Sequence, residues 1–188
     1  MDLRRLHRKT APILFIPFLL MALTGVIYQI GTSWFGLSNE LGSFMMDIHE
    51  GKFLGGKLVP VYVLLVGVGL LGMLVTGVVM IKNQRKALQA NAKRNVRWFH
   101  HLLALIFFLP LLISASTGVA FRVGKAWFGL PARPASILIN LHQGAYLGST
   151  LQSIYVLLVG AGLIGLVITG IQMTRTFRKR NLQAPTNS

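Results

Sequence analysis

Five histidines are the residues best suited to chemistry in this chain, which contains no cysteine. Four of them form two pairs with one spacing: His7 with His100 and His49 with His142, each 93 positions apart. Histidine is a natural axial ligand of haem iron, which accepts an imidazole on each face. The pattern therefore predicts that each pair binds the metal of one cofactor from opposite sides.

The spacing of the histidines belongs to an internal repeat. The stretch that begins at His49 reads HEGKFLGGKLVPVYVLLVGVGLLGMLVTG, and from His142 the chain reads HQGAYLGSTLQSIYVLLVGAGLIGLVITG. The same shift relates Thr24-Gly25 to Thr117-Gly118. One unit is thus used twice, and this repeat must be considered before any fold is proposed.

The composition is that of a small integral membrane protein. Of 188 residues, 53% are hydrophobic and only 12% are charged, and four apolar runs reach the roughly 20 residues that a membrane span needs. The spans are predicted at Ala11–Ile30, Leu58–Ile81, Leu103–Val123 and Leu151–Thr174. We predict an all-α membrane four-helix bundle built from two tandem two-span repeats related by a pseudo-twofold axis along the membrane normal.

The same pattern predicts the organisation along the chain. The predicted units are a first repeat, a cytoplasmic linker, a second repeat and a disordered tail, at residues 1–86, 87–96, 97–180 and 181–188. Between the first two spans, the apolar spacing of Leu41–His49 predicts a short helix lying on the membrane.

The charge distribution predicts topology. The 19 lysines and arginines outnumber 4 acids, and most of them lie before the first span, between the second and third, and after the fourth. The positive-inside rule then places both termini in the cytoplasm, in a bacterial inner or thylakoid membrane. Topology and contact with anionic lipid explain the charge, and nucleic acid is not an expected partner.

Small residues are predicted to make room for the cofactor. Gly25 follows His7 by five helical turns, so it lies on the same helix face about 27 Å further along, at the level of His49. Gly118 relates to His100 in the same way. The Thr-Gly pairs at the other level are Thr76, Gly77, Thr169 and Gly170. Each level would then hold two histidines and two notches, although such notches also serve simply to pack helices.

The sequence gives weaker indications of a role for other polar residues near the histidines. His101 has no histidine counterpart, since Arg8 occupies that position in the first repeat. It is either a substitute ligand for His100 or a surface residue, and the surface interpretation is favoured. Side chains beside the second histidine pair could orient an imidazole: Asp47, Glu50, Asn140 and Gln143.

Several spaced motifs carry a family resemblance. They are R-x-x-H at Arg4–His7, L-T-G at Leu23–Gly25, H-x-G-x-x-x-G at His49–Gly55 and V-x-L-L-V-G…T-G at Val61–Gly77, with second copies at Arg97–His100, Thr117–Gly118, His142–Gly148 and Ile154–Gly170. The chain resembles the PepSY-associated transmembrane helix family. Members are similar to inner-membrane reductases associated with iron and siderophore uptake, some of which carry b-type haem. The resemblance implies haem ligands at the matched histidines and electron transfer across the membrane.

The expected function is therefore a transmembrane protein holding one or two haem b groups. Electrons would pass from a quinol or another donor to a ferric or other acceptor at the outer face, in a haem-dependent reductase or a simple electron conduit. Short outer loops and the lack of a flavin or nicotinamide fingerprint favour the conduit. No catalytic residue is predicted. The alternatives are an accessory or assembly subunit of a larger membrane complex, and a pigment or quinone binder.

Overall fold

Four long helices dominate the fold. The computed structural model describes residues 2–82 and 95–174, and all regular elements in these ranges are helical. The long helices are α1 (Leu3–Trp34), α3 (Val59–Lys82), α4 (Val96–Trp127) and α6 (Ser149–Gln172). All four are long and apolar enough to cross a membrane. The predicted all-α membrane bundle is thereby confirmed.

The first helix of each repeat begins earlier than the apolar runs indicate. Asp2 and Asn95 cap α1 and α4, their side chains accepting hydrogen bonds from the backbone N–H groups of Arg4 and Trp98. Helical geometry therefore already includes the segment that carries His7 in α1, and its counterpart in α4. Both histidines project from regular helix rather than from a loop.

A short helix follows each of these long helices. The first is α2 (Asn39–His49), which covers the predicted segment Leu41–His49, and the second is α5 (Ala132–Gln143). Helix α2 packs on α1, and α5 packs on α4. Short 3₁₀ turns then connect α2 to α3 and α5 to α6.

Glycine ends both short helices at the same point of the repeat. Gly51 and Gly144 have φ angles of 75° and 69°, a left-handed conformation that costs glycine little. A Cβ atom at either position would also overlap a tyrosine ring, that of Tyr62 or Tyr155. The turn is thus closed tightly by an aromatic ring, just after the histidine at the end of each short helix.

The long helices form a closed ring in which the two repeats interleave. Helix α1 contacts α6 and α3, while α4 contacts α3 and α6. Contacts between repeats, α1 with α6 and α3 with α4, are the most extensive. At these two crossings Gly160 faces Val26 and Gly67 faces Val119, so that a glycine admits a valine in each. Equivalent contacts in both halves give the bundle pseudo-twofold symmetry, with α1 diagonally opposite α4.

The core lies on the bundle axis, and the outside is apolar. Buried core residues include Ala22, Leu74, Leu111, Leu163 and Leu166. Ile13 and Leu65, by contrast, are 74% and 65% exposed, as suits side chains that face lipid. Each helical hairpin corresponds to one predicted repeat. Most of the predicted linker and all of the predicted tail lie outside the described residues, so those boundaries stay predictions.

Candidate functional site

His49 and His142 meet across the bundle axis. The centres of their rings are 6.4 Å apart, and the ring planes are inclined by 67°. His49 is the last residue of α2, and His142 lies in the last turn of α5. Each short helix thus delivers one imidazole to what we call the connector end of the bundle, the end that carries α2 and α5.

Hydrogen bonds define the tautomer of both rings at the connector end. The Nδ1 atom of His49 lies 2.9 Å from the carbonyl oxygen of Met21, and that of His142 lies 2.8 Å from the carbonyl oxygen of Ser114. A carbonyl only accepts, so each Nδ1 carries the proton and donates it. Each Nε2 therefore keeps its lone pair, and no other described residue bonds to it.

The opposite end of the bundle, which we call the basic end, repeats this arrangement with threonines. The Nδ1 atoms of His7 and His100 lie 2.7 Å from Thr76 Oγ1 and 2.8 Å from Thr169 Oγ1, respectively. Both hydroxyls donate their own proton to a backbone carbonyl one turn earlier, at 2.7 and 2.6 Å. Their oxygens must then accept from Nδ1–H, which again leaves Nε2 free.

The Thr-Gly notches lie directly against the rings. A Cβ atom added to Gly118 would come within 2.7 Å of His142 Nδ1, and one added to Gly25 within 3.2 Å of His49 Cε1. At the basic end the corresponding distances are 3.6 Å from Gly77 to His7 and 3.4 Å from Gly170 to His100. The Nδ1–Cε1 edges of the imidazoles thus face helix backbone, most closely at the connector end.

Two cavities separate the paired histidines. The cavity at the connector end has a volume of about 200 Å³ and is bordered by His49, His142, Gly25 and Gly118. The cavity at the basic end has a volume of about 110 Å³ and is bordered by His7, His100, Gly77 and Gly170. Phe18, Leu70 and Leu163 border both cavities and so form the wall between them.

Burial favours the neutral form of the rings at the connector end. Withdrawal from bulk water and the neighbouring His142, against the opposing hydrogen bond to Met21, together lower the pKa of His49 to about 4. The same loss of solvent lowers the pKa of His142. A neutral imidazole with a free Nε2 is the form that binds metals.

The acids near His49 have other partners, so the prediction that Asp47 and Glu50 orient the ring was wrong. Asp47 bonds to Lys52 at 2.6 Å, and Glu50 bonds to Arg122 at 2.8 Å. Within the described residues Asn140 and Gln143 make no hydrogen bond to His142 either. Backbone carbonyls one helix away orient both rings instead. Sequence patterns carry no signal for such acceptors, because every residue has a carbonyl.

His101 differs from the four paired histidines. Its ring lies 6.5 Å from that of His100, it borders neither cavity, and its Nδ1 atom is buried with no partner among the described residues. The described residues also contain no group of three or more His, Asp or Glu side chains that could hold a metal ion by themselves. Each candidate site thus presents one pair of imidazoles to its cavity.

Comparison with known proteins gives one match. The family profile described as PepSY-associated TM region matches residues 33–136, more than half of the chain. No curated protein and no solved structure matches the chain.

Proposed function

We propose that this chain, which belongs to the family of PepSY-associated transmembrane regions, holds b-type haem between its paired histidines and passes electrons across the membrane. The observation that carries the proposal is the uniform state of the four rings. His7, His49, His100 and His142 all donate from Nδ1 to a fixed acceptor and keep Nε2 free. Metal-bound histidines are oriented in this way by outer partners.

The separation of the rings at the connector end fits one metal between them. Metal–imidazole bonds of about 2.0 Å, with roughly 1.1 Å from each nitrogen to its ring centre, add up to about 6.2 Å. The observed distance between the ring centres of His49 and His142 is 6.4 Å. A metal held by only two protein ligands must bring an equatorial set of its own, as a porphyrin does.

The surroundings also suit a porphyrin. Both cavities are lined mainly by apolar side chains, and glycines replace side chains where the imidazoles approach the helices. Bundle interiors commonly house cofactors in this manner. When bound, haem supplies reversible one-electron chemistry. The chain supplies axial imidazoles, a fixed Nδ1–H donor bond on each, and an apolar sleeve that excludes water and so tunes the reduction potential.

A site at each end of the bundle favours transfer across the membrane over chemistry at one face. In this proposal both termini are cytoplasmic, so the basic end receives electrons from a membrane quinol or another donor. The connector end delivers them to a ferric or other acceptor outside, in a bacterial inner or thylakoid membrane. The positive-inside distribution of charge supports this orientation.

The test is a reduced-minus-oxidised spectrum of the protein purified in detergent. His49→Gln and His142→Gln should each remove the haem of the connector end, and His7→Gln should remove that of the basic end. His101→Gln is the matched control, since this ring borders neither cavity, and its spectrum should equal that of the wild type. Variants of His49 and His142 that keep the full spectrum would refute the proposal. A colourless wild-type protein would favour an accessory subunit instead.

A further inference from the structure

Charge breaks the twofold symmetry of the cavity at the connector end. Among its lining residues Arg122 is the only cation and Glu50 the only acid. The same positions of the other repeat, Gln29 and Gln143, also line the cavity but are neutral. Two pairs of equivalent positions thus line the cavity, Arg122 with Gln29 and Glu50 with Gln143. Of these four residues only Arg122 is positive.

Arg122 has donors to spare. Its Nη2 donates to Glu50 Oε2 at 2.8 Å, and this is its only hydrogen bond to a described residue. A guanidinium group carries five N–H donors in a planar fork that can serve two carboxylates. Glu50 is also approached by Lys52 at 3.6 Å, so its charge is shared between two cations. The Arg122 side chain is 28% exposed, which leaves it accessible from the cavity.

We propose that Arg122 anchors carboxylate groups of the molecule that occupies this cavity. The inference rests on the proposed function, because the propionate groups of haem are such carboxylates. Pairing matters here, since an unpaired carboxylate that leaves water for an apolar cavity loses much free energy. Glu50 accepts from one Nη atom of the guanidinium and does not fill its fork. Arg122 is thus a binding residue for the cofactor, in addition to the two imidazoles.

A simpler role must be distinguished: the ion pair between Arg122 and Glu50 joins the second repeat to the first and could only hold the bundle together. Comparison of haem with its dimethyl ester separates the two roles, because the ester lacks the carboxylates and keeps the ring and iron. Both are titrated into ligand-free protein in detergent, with His7→Gln and His100→Gln present so that only the connector end binds.

The anchor role predicts that Arg122→Gln raises the dissociation constant for haem about ten- to a hundredfold, as expected when a charged hydrogen bond is lost. Affinity for the ester should change less than about twofold. Adding Gln29→Arg to this variant moves the charge to the equivalent position and should restore haem affinity. Glu50→Gln should leave haem affinity equal or tighter, because it removes a competing carboxylate.

The contrary results are equally distinct. If Arg122→Gln lowers the affinity for haem and for the ester alike, Arg122 is only part of a structural ion pair. The same follows if Glu50→Gln lowers haem affinity as much as Arg122→Gln does. If wild-type protein binds haem and ester equally tightly and Arg122→Gln changes neither, the anchor is refuted while the histidine site stands. If the wild type binds neither ligand, the proposed function itself fails.

Discussion

Replacing Gly118 by alanine tests how closely an imidazole must lie against the helix. The added methyl group would come 2.7 Å from His142 Nδ1 and 2.9 Å from Cε1. An ordinary contact needs at least 3.4 Å, so the ring must move by about 0.7 Å. That shift is large against a metal–nitrogen bond of about 2.0 Å and stretches the 2.8 Å bond to the Ser114 carbonyl.

The energetic terms of this substitution oppose one another. Alanine in a helix is favoured over glycine by about 1 kcal/mol, whereas overpacking costs about 1–3 kcal/mol. The global stability of the Gly118→Ala protein should therefore change little or fall slightly. The affinity for haem at the connector end should fall much further, because a displaced ligand loses its bond geometry. A spectrum and a thermal melt of the same sample separate the two effects.

Gly25→Ala is the graded comparison, because its methyl group would lie 3.2 Å from His49 Cε1 and needs a shift of only a few tenths of an ångström. Gly72→Ala is the neutral control, since nothing lies within 4 Å of its added Cβ atom. The loss of haem should be largest for Gly118→Ala, smaller for Gly25→Ala and absent for Gly72→Ala. Gly118→Ala protein with the wild-type spectrum and affinity would refute the packing argument.

Three further predictions concern packing, tautomer and pH. Gly67→Ala and Gly160→Ala should each lower stability by up to about 2 kcal/mol, measured by thermal unfolding, because a methyl group that overlaps a valine at the crossing between repeats costs more than alanine gains in helix propensity. Thr76→Val and Thr169→Val should weaken metal binding at the basic end about 10–100-fold, measured by haem titration, because each removes the acceptor of an imidazole Nδ1–H. In ligand-free protein the pKa of His49 is about 4 against 6.5 in an unfolded chain, so stability should be full above pH 6.5. It should fall by about 3 kcal/mol as pH drops to 4, measured by unfolding at each pH.

Each of these predictions has its own control. Gly72→Ala should match or exceed wild-type stability by up to about 1 kcal/mol, because it gains helix propensity without a clash, and equal losses at all three glycines would argue against specific crossings. Thr24→Val should have a smaller effect than the other threonine variants, because His49 already donates to Met21 at 2.9 Å while Thr24 Oγ1 is 3.3 Å away. His49→Gln should make stability depend less on pH between 6.5 and 4. An unchanged slope of stability against pH would count against the lowered pKa of His49.

The sequence predicts most of this architecture because the internal repeat and the helical periodicity relate residues that are far apart in the chain. The spacing from His7 to Gly25 assigned two levels to the bundle, and the structure indeed puts Gly25 against His49 and Gly77 against His7. Apolar run lengths located the spans but not where α1 begins, since Asp2 caps a helix that starts in a polar segment. The capping hydrogen bond of Asp2 decides where this helix begins, and the length of an apolar run does not report it.

The details of the candidate site were less accessible from sequence. The acceptors for His49 and His142 are backbone carbonyls, which no residue type encodes. The pair of Glu50 and Arg122 joins residues 72 positions apart and has no charged counterpart in the other repeat. Nearness in sequence suggested instead that Glu50 serves His49. Such pairings depend on how the two hairpins face each other, and only tertiary packing determines that.

Low-temperature electron paramagnetic resonance of the purified, oxidised wild-type protein tests the central claim most directly. Two axial imidazoles impose a strong ligand field, so paired histidines predict low-spin ferric haem in the intact protein. A high-spin ferric signal, or protein that contains no iron porphyrin, would contradict the pairing of His49 with His142 and of His7 with His100.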